Sequence, residues 1–135
     1  MNSLADTGFL VALARANDQY NSWASEVGSQ INWPALTCEA VLAETAFHLQ
    51  SCEAVLGMLR DGVVRLAFDL ESNLDHLRDL ALRYADRKPD LADLCLIRMS
   101  ELFPRHVVIT VDEDDFRAYR RNKREAIPLL CPPRK

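Results

Sequence analysis

The chain has 135 residues, 49% of them hydrophobic and 27% charged, which suits one domain with one packed core. No apolar run approaches the ~20 residues of a membrane span, and Met1–Asp6 carries no basic stretch of the kind that opens a signal peptide. The expectation is therefore a cytoplasmic protein with a single domain over residues 1–135, neither membrane-bound nor secreted.

The net charge of −4 is unevenly placed. Residues 1–116 hold 9 Lys and Arg against 19 Asp and Glu, whereas residues 117–135 hold 7 against 1. An acidic body with a basic tail is a poor profile for a general nucleic-acid binder. It fits an acidic site that recruits a metal cation, beside a local basic strip that meets phosphate. The four cysteines, Cys38, Cys52, Cys95 and Cys131, form no C-x-x-C pair and are expected to be buried thiols.

Taken in order, Ser3-Leu4-Ala5 predicts a very short first strand, and residues 7–15 and 18–27 predict helices, the second capped by Asn17 or Asp18. Residues 33–37 are extended, because Pro34 excludes a helix interior. Helices follow over 38–48 and 51–60. The turn at Asp61-Gly62 leads into a strand over 63–67. Leu74, Leu77, Leu80, Leu82 and Tyr84 among charges predict an amphipathic helix over 71–86. Residues 90–102 predict a mostly apolar helix opened by Pro89 and Asp90. Val107-Val108-Ile109-Thr110-Val111 is a β-branched strand fit for a sheet covered on both faces. A helix over 113–124 and a proline-tolerant edge strand over 127–130 complete the chain. Strands alternating with helices imply a mainly parallel α/β sheet, whose ligands sit in a crevice at the strand carboxyl ends.

That rule gives the acids a place to meet. Asp6 follows the first strand directly, and Asp112 follows the strand 107–111. Asp93 lies within Leu91-Ala92-Asp93-Leu94-Cys95-Leu96-Ile97, apolar on almost every side, and a carboxylate there needs a cation or hydrogen-bond donors to stay ionised. Arg98, five positions on, falls on another face. Glu44 stands between Leu42 and Phe47 on a helix. Carboxylates crowded into one crevice repel, and Mg²⁺ or Mn²⁺ would remove that repulsion through hard oxygen ligands. No glycine-rich phosphate loop is present, so a nucleoside triphosphate is not expected.

The runs Asp6-Thr7-Gly8-Phe9-Leu10, Leu42-Ala43-Glu44-Thr45, Asp90-Leu91-Ala92-Asp93-Leu94 and Ile109-Thr110-Val111-Asp112-Glu113-Asp114-Asp115-Phe116, in this order and spacing, resemble the PIN-domain family. More narrowly they resemble VapC-type toxins of bacterial toxin–antitoxin pairs. The resemblance spans Asp6 to Phe116. It implies a three-layer α/β/α fold with a short, mainly parallel sheet. It also implies a metal-dependent endoribonuclease, usually dimeric and held inactive by a cognate antitoxin. Position by position, the family's catalytic and metal-binding acids fall on Asp6, Glu44, Asp93 and Asp112, with Asp115 at a more variable acidic position. Asp90 is an additional acid one helical turn before Asp93, on the same face. It either joins the metal site or favours the helix N-terminus.

Each residue also has an ordinary reading. Asp6 is a favourable helix cap, Glu44 a solvated helix acid, and Asp112 a turn residue. Thr7 either donates to a phosphate or caps its helix. His48 is one turn after Glu44 and is more often a surface or core histidine than a general base. Tyr20, Trp23 and Trp33 could stack on bases, although core or dimer-interface positions are the commoner fate. Arg117, Arg120, Arg121, Lys123 and Arg124 form a basic run that grips RNA phosphates, is an ordinary solvated face, or meets an acidic antitoxin segment. Two other function classes compete with the ribonuclease. One is a non-catalytic PIN-like binding module, against which the intact acids count. The other is a metal-dependent phosphatase of another α/β family, against which the missing second aspartate after Asp6 counts.

Overall fold

The computed structural model describes residues 1–134. Strand β1 (Ser3–Ala5) is buried throughout and runs through Asp6 into helix α1 (Thr7–Ala14). Helix α2 spans Asn21–Gly28 and so begins three residues later than the sequence pattern suggested. The reason is local: the Asp18 carboxylate accepts from the Tyr20 N–H at 2.8 Å, closing an Asx turn where a helix cap was expected. Strand β2 (Ala35–Thr37) follows, then helices α3 (Glu39–Leu49) and α4 (Cys52–Arg60), strand β3 (Val64–Leu66) and helix α5 (Leu74–Arg83). The expected helix over 71–86 is therefore shorter, with 3₁₀ turns at Glu71–Asn73 and Ala85–Arg87 on either side of α5.

Helix α6 (Leu91–Leu102) buries Ala92 through Ile97 without a break, as its nearly all-apolar surface demands. Strand β4 covers Val107–Ile109 and is followed by helix α7 (Glu113–Ala118). The chain does not continue as a helix to residue 124. Asn122 and Lys123 take positive φ, and a hairpin forms from strands β5 (Arg120–Arg121) and β6 (Glu125–Ala126). Strand β7 (Leu129–Leu130) is an edge strand, as expected for the proline-bearing segment.

The five main strands lie in the order β3-β2-β1-β4-β7, all parallel, and the helices flank them. From β1 the chain builds outward to β2 and β3, then returns to add β4 and β7 on the other side. The direction of growth reverses between β1 and β4, and such a switch point opens a crevice beyond the strand carboxyl ends. The register pairs Ala5 with Ile109, so the next residues, Asp6 and Thr110, arrive at the crevice side by side. Cys38 and Cys95 are buried as expected, whereas Cys52 is exposed and Cys131 half-buried; all four are free thiols. Among the described residues no helix is long and apolar enough to cross a membrane.

Candidate metal centre

The crevice is a cleft of about 350 Å³ whose lining includes Asp6, Thr7, Glu44, His48, Asp90, Asp93 and Asp112. The four acids singled out by the sequence thus face one cavity, together with Asp90. Among the described lining residues there is no lysine or arginine. Arg98 is turned away, bonding Asn73 at 2.8 Å and Glu101 at 3.1 Å.

Asp6 is held from two sides. Its Oδ1 accepts from the Thr7 N–H at 2.7 Å, and its Oδ2 accepts from the Thr110 hydroxyl at 2.6 Å. The same Thr110 oxygen accepts from the Asp112 N–H at 2.9 Å, so one buried hydroxyl ties the acid after β1 to the acid after β4. Burial raises the Asp6 pKa above its ordinary value; the two hydrogen bonds offset part of that rise, and Asp90 adds to it.

Asp93 is 8% exposed. Burial first, and then the charges of Asp90 and Asp6, push its pKa up to about 8; a hydrogen bond from Tyr119 works in the opposite direction. That bond runs from the Tyr119 hydroxyl to Asp93 Oδ2 at 3.0 Å. Tyr119 is itself fully buried, with its ring packed edge-on against Tyr84 and Phe116.

Asp90 accepts from the Asp93 N–H at 2.8 Å. It therefore caps α6 and also lines the cleft, so both alternatives open in the sequence apply. The Glu44 carboxylate accepts from the Thr7 hydroxyl at 3.1 Å. Partial burial, and then the proximity of Asp90, raise its pKa. Asp112 is pushed up to about 6 by burial and by neighbouring Asp115.

The tightest grouping involves a residue at the margin of the sequence reading. Asp93, Asp112 and Asp115 each bring a carboxylate oxygen within 4.8 Å of the other two. Asp115 is also anchored by Arg87 at 3.1 Å. Glu44 and Asp6 extend this group along the cleft. Four carboxyls with raised pKa values in one cavity mark a site poised for a cation. The donors are all oxygens, which suits Mg²⁺ or Mn²⁺ and not a thiophilic ion.

The basic run is arranged differently from the sequence expectation. Arg117 sits on α7, ion-paired with Glu113 at 2.5 Å. Arg120 directs one guanidinium nitrogen to the carbonyls of Arg117 and Tyr119 at 2.7 and 2.9 Å. Arg121 is only 8% exposed; it bonds the carbonyls of Ser100 and Pro104, each at 3.0 Å, and pairs with Glu125. Those carbonyls lie at the far end of α6. At a rise of ~1.5 Å per residue, Ser100 is about 10 Å along the axis from Asp93. The hairpin therefore locks onto the end of α6 remote from the acids, and the Arg121 guanidinium is spent on backbone carbonyls and not on phosphate.

Sequence reasoning missed Thr110 and Tyr119. Thr110 reads as a β-branched strand residue and Tyr119 as part of a surface helix. Their roles come from β1–β4 adjacency and from the turn after α7, neither of which is visible in local pattern.

No family model and no curated protein matches the sequence. Among solved structures, the chain is similar to VapC20 of Mycobacterium tuberculosis, described as a sarcin–ricin loop cleaving toxin. The TM-score is 0.68 and the identity 18%, over 79% of this chain and 87% of that one. The parallel sheet, its flanking helices and this likeness together make the fold a PIN-like α/β/α fold, shared with the VapC20 toxin.

Proposed function

We propose that the protein is a Mg²⁺- or Mn²⁺-dependent endoribonuclease that hydrolyses RNA phosphodiester bonds. The observation that carries this is the convergence of Asp6, Glu44, Asp90, Asp93 and Asp112 on one cleft with no lysine or arginine among its described lining residues, with Asp115 closing the group around Asp93 and Asp112. Asp6, Glu44, Asp93 and Asp112 would hold the metal, with Asp90 and Asp115 as further ligands. The ion would supply Lewis-acid neutralisation of a phosphate and a lowered pKa for an attacking water.

The protein's own contribution is orientation. Thr110 fixes the Asp6 carboxylate, Tyr119 fixes that of Asp93, and Thr7 fixes that of Glu44. Such partners set ligand direction and basicity. Thr7 also lines the cleft; its single hydroxyl proton would serve a substrate phosphate only by leaving Glu44. Arg117, exposed on α7 beside the acids, is the other candidate phosphate contact, and Arg120 has guanidinium nitrogens left for a subsidiary one.

The likeness to a ribonucleolytic toxin supports RNA as substrate and supports a role as the toxin of a type II toxin–antitoxin pair in the cytoplasm, restrained by a cognate antitoxin. By the same reading the protein would act as a homodimer, for which exposed Phe47 on α3 and Leu56 on α4 are candidate contacts.

Cleavage of RNA in Mg²⁺ and in Mn²⁺ tests the assignment with Asp6→Asn and Asp93→Asn. Each is expected to lose more than the ~10–100-fold typical of outer partners. Full activity in both variants would remove the acids from the chemistry.

A further inference from the structure

Beside the acidic cleft lies a larger groove of about 750 Å³, lined by Gln19, Tyr20, Ser22, Trp23, Val111, Asp112, Glu113, Asp114, Pro132, Pro133 and Arg134. The two cavities share Gln19, Tyr20, Val111 and Asp112, so the groove adjoins the cleft along these residues. We propose that it is a nucleobase subsite, which seats an unpaired base of the RNA next to the phosphate held at the acids. This proposal rests on the ribonuclease reading above.

Three observations favour a base as occupant. The first is shape and surface: the rings of Tyr20 and Trp23 stand edge-to-face with centroids 6.5 Å apart, and Pro132 and Pro133 contribute further apolar surface to the lining. Trp23 also packs edge-on against Phe9 and both rings are partly buried, so the ring surface they leave open to the groove is what a base would stack on. The second is charge. The groove's acids, other than Asp112, are already neutralised: Glu113 bonds Arg134 at 2.9 Å and Arg117 at 2.5 Å, and Asp114 bonds Arg134 at 3.0 Å. A region balanced in this way neither attracts nor repels a phosphate strongly, whereas the adjoining cleft is built to take one through a metal. The third is polar trim. Gln19 and Ser22 place an amide and a hydroxyl in the lining, and these can pair with base edges. In volume the groove, which mixes aromatic and proline surface with polar and charged groups, falls in the usual range for a small-ligand site.

The chain's two tryptophans, Trp23 and Trp33, make the idea measurable. Trp33 bonds the Gly28 carbonyl through its indole N–H at 3.1 Å and is not part of the groove lining. In a Trp33→Phe background, Trp23 alone reports. The probe is an unstructured single-stranded hexaribonucleotide whose central phosphate is replaced by a non-hydrolysable phosphonate, titrated in Mn²⁺. The expected result is quenching of Trp23 fluorescence with saturable binding. Tyr20→Ala should weaken binding by about tenfold or more, in line with loss of one stacked base, and Tyr20→Phe should restore it. Arg134→Ala, an exposed change with little bearing on folding, should weaken binding several-fold by freeing the Glu113 and Asp114 charges. An oligonucleotide abasic at the positions flanking the phosphonate should still bind but quench weakly.

Equal quenching by the abasic oligonucleotide, or equal affinity in Tyr20→Ala and Arg134→Ala, would overturn the subsite. So would a saturable change in Trp23 fluorescence with the non-fluorescent N-acetyl-leucinamide and none with the oligonucleotide, which would give the groove to a protein side chain. The Mn²⁺-induced rise in melting temperature is read in the same samples. Retained metal binding and RNA cleavage with an indifferent groove defeats this proposal alone. Base-dependent quenching without any cleavage by the unmodified protein defeats the nuclease reading and leaves the subsite standing.

Discussion

A single hydroxyl at Thr110 joins the two halves of the acidic site. Replacing Thr110 with Val keeps the shape and removes the donor to Asp6 and the acceptor for the Asp112 N–H. Leaving buried polar groups unpaired costs about 1–3 kcal/mol, so thermal unfolding should register the loss, and Mn²⁺ affinity should fall by roughly 10–100-fold by calorimetric titration. Thr110→Ser should recover most of both. Tyr119→Phe acts on the other side of the cleft. The Tyr119 bond opposes the rise in the Asp93 pKa, so its removal should move the pH midpoint of Mn²⁺ binding upward. An unmoved midpoint would show that this hydroxyl only fills space. Neither residue announces itself in the sequence. The acids were legible because carboxylates in apolar runs have few reasons to exist. A threonine in a strand and a tyrosine in a core have many, and their roles here depend on partners 104 and 26 residues away.

At the scale of elements, α1 sits close against the chain leaving β4. A Cβ added at Gly8 would drive into the Val111 side chain, one residue before Asp112. Gly8→Ala is expected to destabilise by about 1–3 kcal/mol through overpacking and to weaken metal binding by shifting Asp112; equilibrium denaturation and Mn²⁺ titration report the two effects. Elements with a strong pattern, such as β4 and α6, were readable because burial on all sides leaves an unmistakable apolar run. The segment after α7 was not. Its charges suit a solvated helix, but positive φ at Asn122 and Lys123 and the anchoring of Arg121 on the end of α6 fold it into a hairpin. Tertiary bonds overrode local propensity there, and they also withdrew Arg121 from any role at the acidic edge.

For the whole molecule, the clustered carboxyls link stability to pH and to metal. In the metal-free fold Asp112 and Asp93 keep their protons to about 6 and about 8, against an ordinary value of 3.8. The native state therefore binds more protons than the unfolded chain across that interval. Stability from these groups is full at the acidic end and is lost as pH rises through the folded values. The melting temperature of metal-free protein should fall between pH 5 and pH 8, Asp93→Asn should flatten the slope, and Mg²⁺ or Mn²⁺ should restore stability most at the alkaline end. A metal-free protein equally stable at both ends, with no change in Asp93→Asn, would contradict this linkage. The general α/β layering was legible from the alternation of elements. The strand order was not, because only the register of β1 against β4 decides which acids become neighbours.

That register also fixes when the site can exist. Strand β1 is made first and lies in the middle of the sheet, yet its second neighbour, β4, begins at Val107. A chain emerging from the ribosome carries Asp6 and Glu44 well before Asp112 can stand beside them. Long-range pairing of this kind forms late, since distant contacts close only after their loop entropy is met. For an enzyme of the proposed kind, the order of synthesis is thus a safeguard: Asp112 joins the other acids only after β4 has been made and has paired with β1.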